Sequence, residues 1–188
     1  MFHMEIRGAL PKNNRVRKMR QLDPELDNEI SATDAVTTAL ARYKSIRFHV
    51  SGFGELCWGV DVWTDLCIVV EQIPQIVDWL RGRTRTEMSL DFYEQGVQRS
   101  IRIHKRGSRV VLEGVPFAGR PWTPSVPLEV MPKAAFERML LDLLLRFADL
   151  GDSLYPGIWN EPVIQDWTRL IHETRKSFGT ARQAGSHA

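Results

Sequence analysis

Cysteine is scarce in this chain. Cys57 and Cys67 are the only two in 188 residues, too few for a disulfide framework and too far apart in sequence for a paired-ligand metal motif. Histidine is equally thin where it would matter, because His49, His104 and His172 fall on separate predicted elements. Neither a metal nor a cofactor is expected. No apolar run reaches the length of a membrane span, and the opening MFHMEIRGALPKNNRVRKMR has no apolar signal core, so a reducing cytoplasm is the expected location. Excess charge of one sign is missing too. With 25 Lys and Arg against 23 Asp and Glu, the formal charge of +2 gives no bulk field for a polyanion.

The glycines of HVSGFGELCWGV, residues 49–60, raise the question of a phosphate-binding loop. A dinucleotide fingerprint needs G-x-G-x-x-G opening a helix, so that free N–H groups at the helix terminus meet the pyrophosphate. Here Gly52 and Gly54 are followed by Leu56, Cys57 and Trp58 before Gly59, and no helical pattern comes next. A Walker loop would need a Lys followed by Ser or Thr, and a serine hydrolase would need G-x-S-x-G; neither is present. The expected structure is a flexible bend between two sheet elements.

What is present is the patterning of one α+β domain. Residues 1–22 carry Lys12, Arg15, Arg17, Lys18 and Arg20 and read as a flexible basic segment. A single domain is expected over 23–178 and a disordered tail over 179–188. Asp23-Pro24 marks a helix start, with Ala35, Val36, Ala39, Leu40 and Tyr43 at helical spacing. The sheet is expected to have about four antiparallel strands, at 46–53, 86–93, 98–105 and 109–115. In the last three, Leu90 should face Ile101 and Met88 should face Ile103, while Ile103 should face Val110 and Ile101 should face Leu112. All these apolar residues then share one side.

Three helices are expected on that side. One spans about 65–81, capped by Thr64 or Asp65 and interrupted or kinked at Pro74. Another spans 132–150, from Pro132 to a stop at Gly151, with Arg138, Asp142 and Arg146 as an ion-pair ladder outside its leucine stripe. The last spans 161–178 and stops at Gly179. Between the last sheet strand and the leucine helix, EGVPFAGRPWTPSVPLEV reads as a long surface loop.

The polar side of the sheet gathers Asp91, Tyr93, Arg102 and His104, with Glu87 across from His104. These are candidate partner-binding residues, or a catalytic set if they converge in a pocket. Trp58 and Trp122, flanked by loop residues, join them as candidate anchors. Replacing Trp122 with Ala is expected to weaken binding with little loss of melting temperature, a large drop assigning the ring to the core instead. Asp61 and Asp65 have a structural role as acids near a helix start.

The succession VDVWTDLCIVVEQIPQIVDWL, then LDFYEQGVQRSIRIHKRG, then a leucine-rich helix resembles small bacterial α+β immunity proteins of polymorphic toxin systems. The likeness covers about residues 45–150. It implies a non-catalytic protein that binds and blocks a toxin domain. Immunity proteins against nucleases are commonly acidic, and this chain is slightly basic. A protein-binding module is therefore the leading expectation, ahead of a small enzyme on the sheet face and a nucleic-acid binder using the N-terminal cations.

Overall fold

The computed structural model describes residues 1–11, 29–83, 87–93, 97–117, 121–160 and 164–184. The chain is α+β. Its four-stranded antiparallel sheet runs in the order β3 (Met88–Phe92), β4 (Arg99–Arg106), β5 (Arg109–Pro116) and β6 (Leu128–Pro132). A separate two-stranded sheet pairs β1 (His3–Arg7) with β2 (Arg47–Ser51). The helices are α1 (Glu29–Leu40), α2 (Asp65–Arg81), α3 (Lys133–Leu154) and α4 (Gln165–Ala184), with a short 3-10 turn at Ile158–Asn160.

The membership of the main sheet differs from expectation. The strand expected over 46–53 belongs to the small sheet, and its place is taken by β6, which starts in the last three residues of the predicted surface loop and runs on to Pro132. Its partner β1 falls within the segment expected to be flexible. HMEIR alternates, so Met4 and Ile6 enter the core opposite Val50 and Phe48, and burial of those side chains fixes the strand. The basic run from Lys12 to Arg20 and the Asp23-Pro24 helix start lie outside the described residues.

The first hairpin has the expected register, Met88 with Ile103 and Leu90 with Ile101. The second is shifted by two residues: Arg106 pairs with Arg109, Ile103 with Leu112, and Ile101 with Gly114. A shift of two preserves the faces. It arises because the two-residue turn sits one residue later, at 107–108 instead of 106–107, with Gly107 at φ 61° in its first position, as a tight hairpin requires. Leu90, Phe92, Ile101, Ile103, Val110 and Leu112 are all fully buried on the inner face. At roughly 1.5–3 kcal/mol for each such side chain, this face is a large part of the hydrophobic drive.

Two helices share the work of covering it. α2 packs on β3, with Leu66, Val69, Val70, Ile73 and Val77 among its buried residues, while α3 packs on β1, β5 and β6. Pro74 lies inside an unbroken α2. Gln72 then bonds the edge of β3, accepting from Asp91 N–H at 2.8 Å and donating to Asp91 O at 2.8 Å.

Both expected glycine stops fail. Gly151 is buried within α3, where an added Cβ would sit 2.5 Å from the Trp159 ring, so this glycine allows an indole to pack on the helix. The backbone of α4 runs through Gly179 to Ala184, shortening the expected tail. A helix-interior glycine costs about 1 kcal/mol, less than a following run of good helix formers can offset. The ladder on α3 is half right: Arg138 pairs with Asp142 at 2.9 Å, but Arg146 donates to Gly8 O beyond the end of β1.

Candidate binding surface

The glycine segment is a tight turn. Gly52, Phe53 and Gly54 take φ values of 139°, 56° and 89°, folding the chain so that Gly52 and Glu55 exchange backbone hydrogen bonds of 2.9 and 3.0 Å. Successive residues of this kind turn their N–H groups toward a common point, which is how backbone concavities hold anions. The anion held here is the protein's own. Glu129 of β6 points inward and accepts from Phe53 N–H at 2.5 Å through one oxygen and from Phe2 N–H through the other, with the N-terminal ammonium 3.6 Å away. The bend is therefore fixed rather than flexible, and it ties the small sheet to the large one.

Trp58 belongs to the core, only 5% exposed and hydrogen-bonded to Gly52 O at 3.2 Å, so it offers no anchor to a partner. Trp122 is half-buried. Its ring covers Gly114, where a Cβ would come within 2.9 Å of it, and its N–H donates to Glu55 at 2.9 Å. Arg99 lies over both indoles at 4.7 and 4.5 Å and pairs with Glu55 at 2.9 Å. These groups neutralise a cation that the strand alternation turns inward. The predicted surface loop thus holds Trp122 against the domain, and a Trp122→Ala change reaches stability before it reaches any partner.

The other side of the four-stranded sheet has no helix packed on it among the described residues. It displays Asp91, Tyr93, Arg102 and His104, as expected, but they do not converge. Both Asp91 oxygens accept serine hydroxyls, Ser100 at 2.5 Å and Ser89 at 2.9 Å. His104 stands between Glu87 at 3.8 Å and Glu113 at 3.7 Å, and Arg102 reaches Glu113 at 3.9 Å, so these charges answer one another loosely across the strands. Tyr93 is 45% exposed at one corner, its ring 6.2 Å from that of Phe117. No group of three or more potential metal ligands occurs among the described residues.

Sequence reasoning missed the apolar end of this face. In LEVMP, β6 turns Glu129 and Met131 inward and leaves Leu128 and Val130 outside, 53% and 47% exposed. Val130 stands opposite Val111 and Leu128 opposite Glu113. The open face therefore runs from an aromatic corner through a charged middle to an aliphatic edge. No helix in the described chain is long and apolar enough to cross a membrane. Comparison with protein-family models, curated proteins and solved structures finds no match for this chain.

Proposed function

We propose that this chain is a non-catalytic protein-binding module whose contact surface is the open face of the four-stranded sheet. The observation that carries the reading is the inversion in β6. Ordinary strand patterning buries the leucine and valine and exposes the glutamate, whereas here Leu128 and Val130 face solvent and Glu129 is buried. The fold is stable with that arrangement only because two backbone amides satisfy the carboxylate. An aliphatic edge beside mutually compensated charges, with Tyr93 at the far corner, has the mixed composition of a protein contact: an apolar part that loses water and a polar part that sets register.

The partner is a folded protein presenting an apolar ridge to Val111, Leu128 and Val130. The partner class that the resemblance in element order implies is a toxin domain, which makes the protein a neutralising binder. Because Asp91 and His104 are engaged in structural contacts, the same face serves binding better than acid–base chemistry.

The test is capture from the native host with the full chain as bait, compared with a Leu128→Asp, Val130→Asp double variant whose near-ultraviolet circular dichroism matches the parent. A single protein retained by the parent and lost by the variant supports the proposal. Retention by both refutes the face, and parent-only dimerisation in light scattering would make the partner a second copy.

A further inference from the structure

A groove of about 740 Å³ lies along β2, between the end of α1 and the segment from Cys57 to Trp63. Its volume is in the range of small-molecule sites, roughly 300–1,000 Å³. The apolar part comes from Ile46, Phe48, Val60 and Val62, with Tyr43 and an outward-turned Trp63, 58% exposed. The charged part is one-sided. Arg7, Lys44 and Arg47 line the groove against a single acid, Asp61, whose two oxygens already accept the N–H of Thr64 at 2.7 Å and its hydroxyl at 2.9 Å. Arg7 is held by Glu5 at 2.7 Å. Lys44 and Arg47 are exposed, and neither forms an ion pair with a described acid.

We propose that this groove is a binding site for a small organic anion with a flat apolar body. Arg47 and Lys44 hold the acid group, and Trp63 with the aliphatic lining takes the body. Two cations in search of an anion beside an aromatic shelf fit neither a neutral ligand, which leaves them unanswered, nor a bare inorganic anion, which leaves the shelf uncovered. His49, a further lining residue, has its pKa held below 6.5, first by partial burial and then by Arg7, with His3 acting in the same direction and Glu5 against. The groove is positive before any ligand arrives because Arg7, Lys44 and Arg47 outnumber Asp61, whereas His49 is held toward its neutral form. It lies on the small sheet, so its occupancy is a separate matter from docking on the large one.

The chain carries its own reporter. Cys57 is exposed and lines the groove, while Cys67 is buried, with its pKa pushed up to about 12 by burial and then by Glu71. An aryl disulfide reagent near neutral pH therefore reads Cys57 alone.

The probes are anilinonaphthalenesulfonate and phenylnaphthylamine, which share a flat body and differ in the acid group. Full-length protein should bind the sulfonate about tenfold more tightly than the neutral amine, the effect of one charge-assisted hydrogen bond. The Lys44→Gln, Arg47→Gln variant should lose that preference with its melting temperature unchanged, and Trp63→Ala should weaken both probes. Sulfonate should also slow labelling of Cys57 in the parent. Equal affinity for the two probes, an unaltered preference in the double variant, or labelling indifferent to sulfonate would each overturn the proposal. If the double variant melts low, the Cys57 protection experiment in the parent decides alone.

Discussion

The two faces of the four-stranded sheet are made by the same strands and alternate residue by residue, yet they follow different rules. The inner face is closed by α2 and α3, and every aliphatic side chain that points into it is lost to solvent. Three charged residues share that face, Arg99, Lys105 and Glu129, and each is answered: the first by two indoles and a carboxylate, the second by the Trp79 ring and the carbonyls of Trp79 and Gly82, the third by two backbone amides. The outer face keeps Leu128 and Val130 in water and lets its charges meet at 3.7 to 3.9 Å. Stability is concentrated on one side, and freedom to interact is left on the other.

That contrast can be broken by substitution, beginning with the largest effect. Ile101→Ala on the inner face should cost about 2–5 kcal/mol in urea denaturation, whereas Arg102→Ala, one residue along and on the other face, should stay within about 0.5 kcal/mol. Gly151→Leu extends the same logic to the helical layer. A Cβ there meets the Trp159 ring at 2.5 Å, and about 1–3 kcal/mol or more of overpacking should lower the melting temperature, with the indole's emission shifted as it is displaced. Trp122→Ala should rank between Ile101→Ala and Gly151→Leu, at about 2–4 kcal/mol, because the ring covers Gly114 and its N–H holds Glu55. Tyr93→Ala, half exposed on the open face, should barely move the melting temperature while weakening capture of the partner.

Much of this division was readable before any coordinates. Leu90 with Ile101 and Met88 with Ile103 followed from strict alternation and a short turn, and α2 followed from its stripe. The second hairpin is offset by two because a two-residue turn can sit at either of two adjacent places in KRGSR, and only the faces are protected against that ambiguity. β1 is hard to read because HMEIR is only five residues long, with Met4 and Ile6 as its two buried side chains, and a polar, cation-rich run follows it. β6 was illegible for a deeper reason. Its apolar residues point outward, so alternation read alone assigns it the wrong face, and its ladder partner is separated from it by a proline-rich stretch. The same hidden strand contributes both the carboxylate that fills the glycine turn and the aliphatic edge of the open face. Gly151 shows the remaining gap: a stop signal and a packing signal are the same letter until the neighbouring indole is seen.

The inversion of β6 is tested most directly by equilibrium urea unfolding of two neighbouring substitutions, Glu129→Leu and Val130→Thr. With the glutamate buried and answered by Phe2 and Phe53, replacing it with leucine should lower stability by about 2 kcal/mol or more, since two inward amides lose their acceptor, while threonine at the exposed position should cost less than about 0.5 kcal/mol. A leucine at 129 that stabilises the protein, together with a threonine at 130 that costs more than 1 kcal/mol on the scale of a buried hydroxyl, would mean that the strand faces the other way and that the aliphatic edge is core.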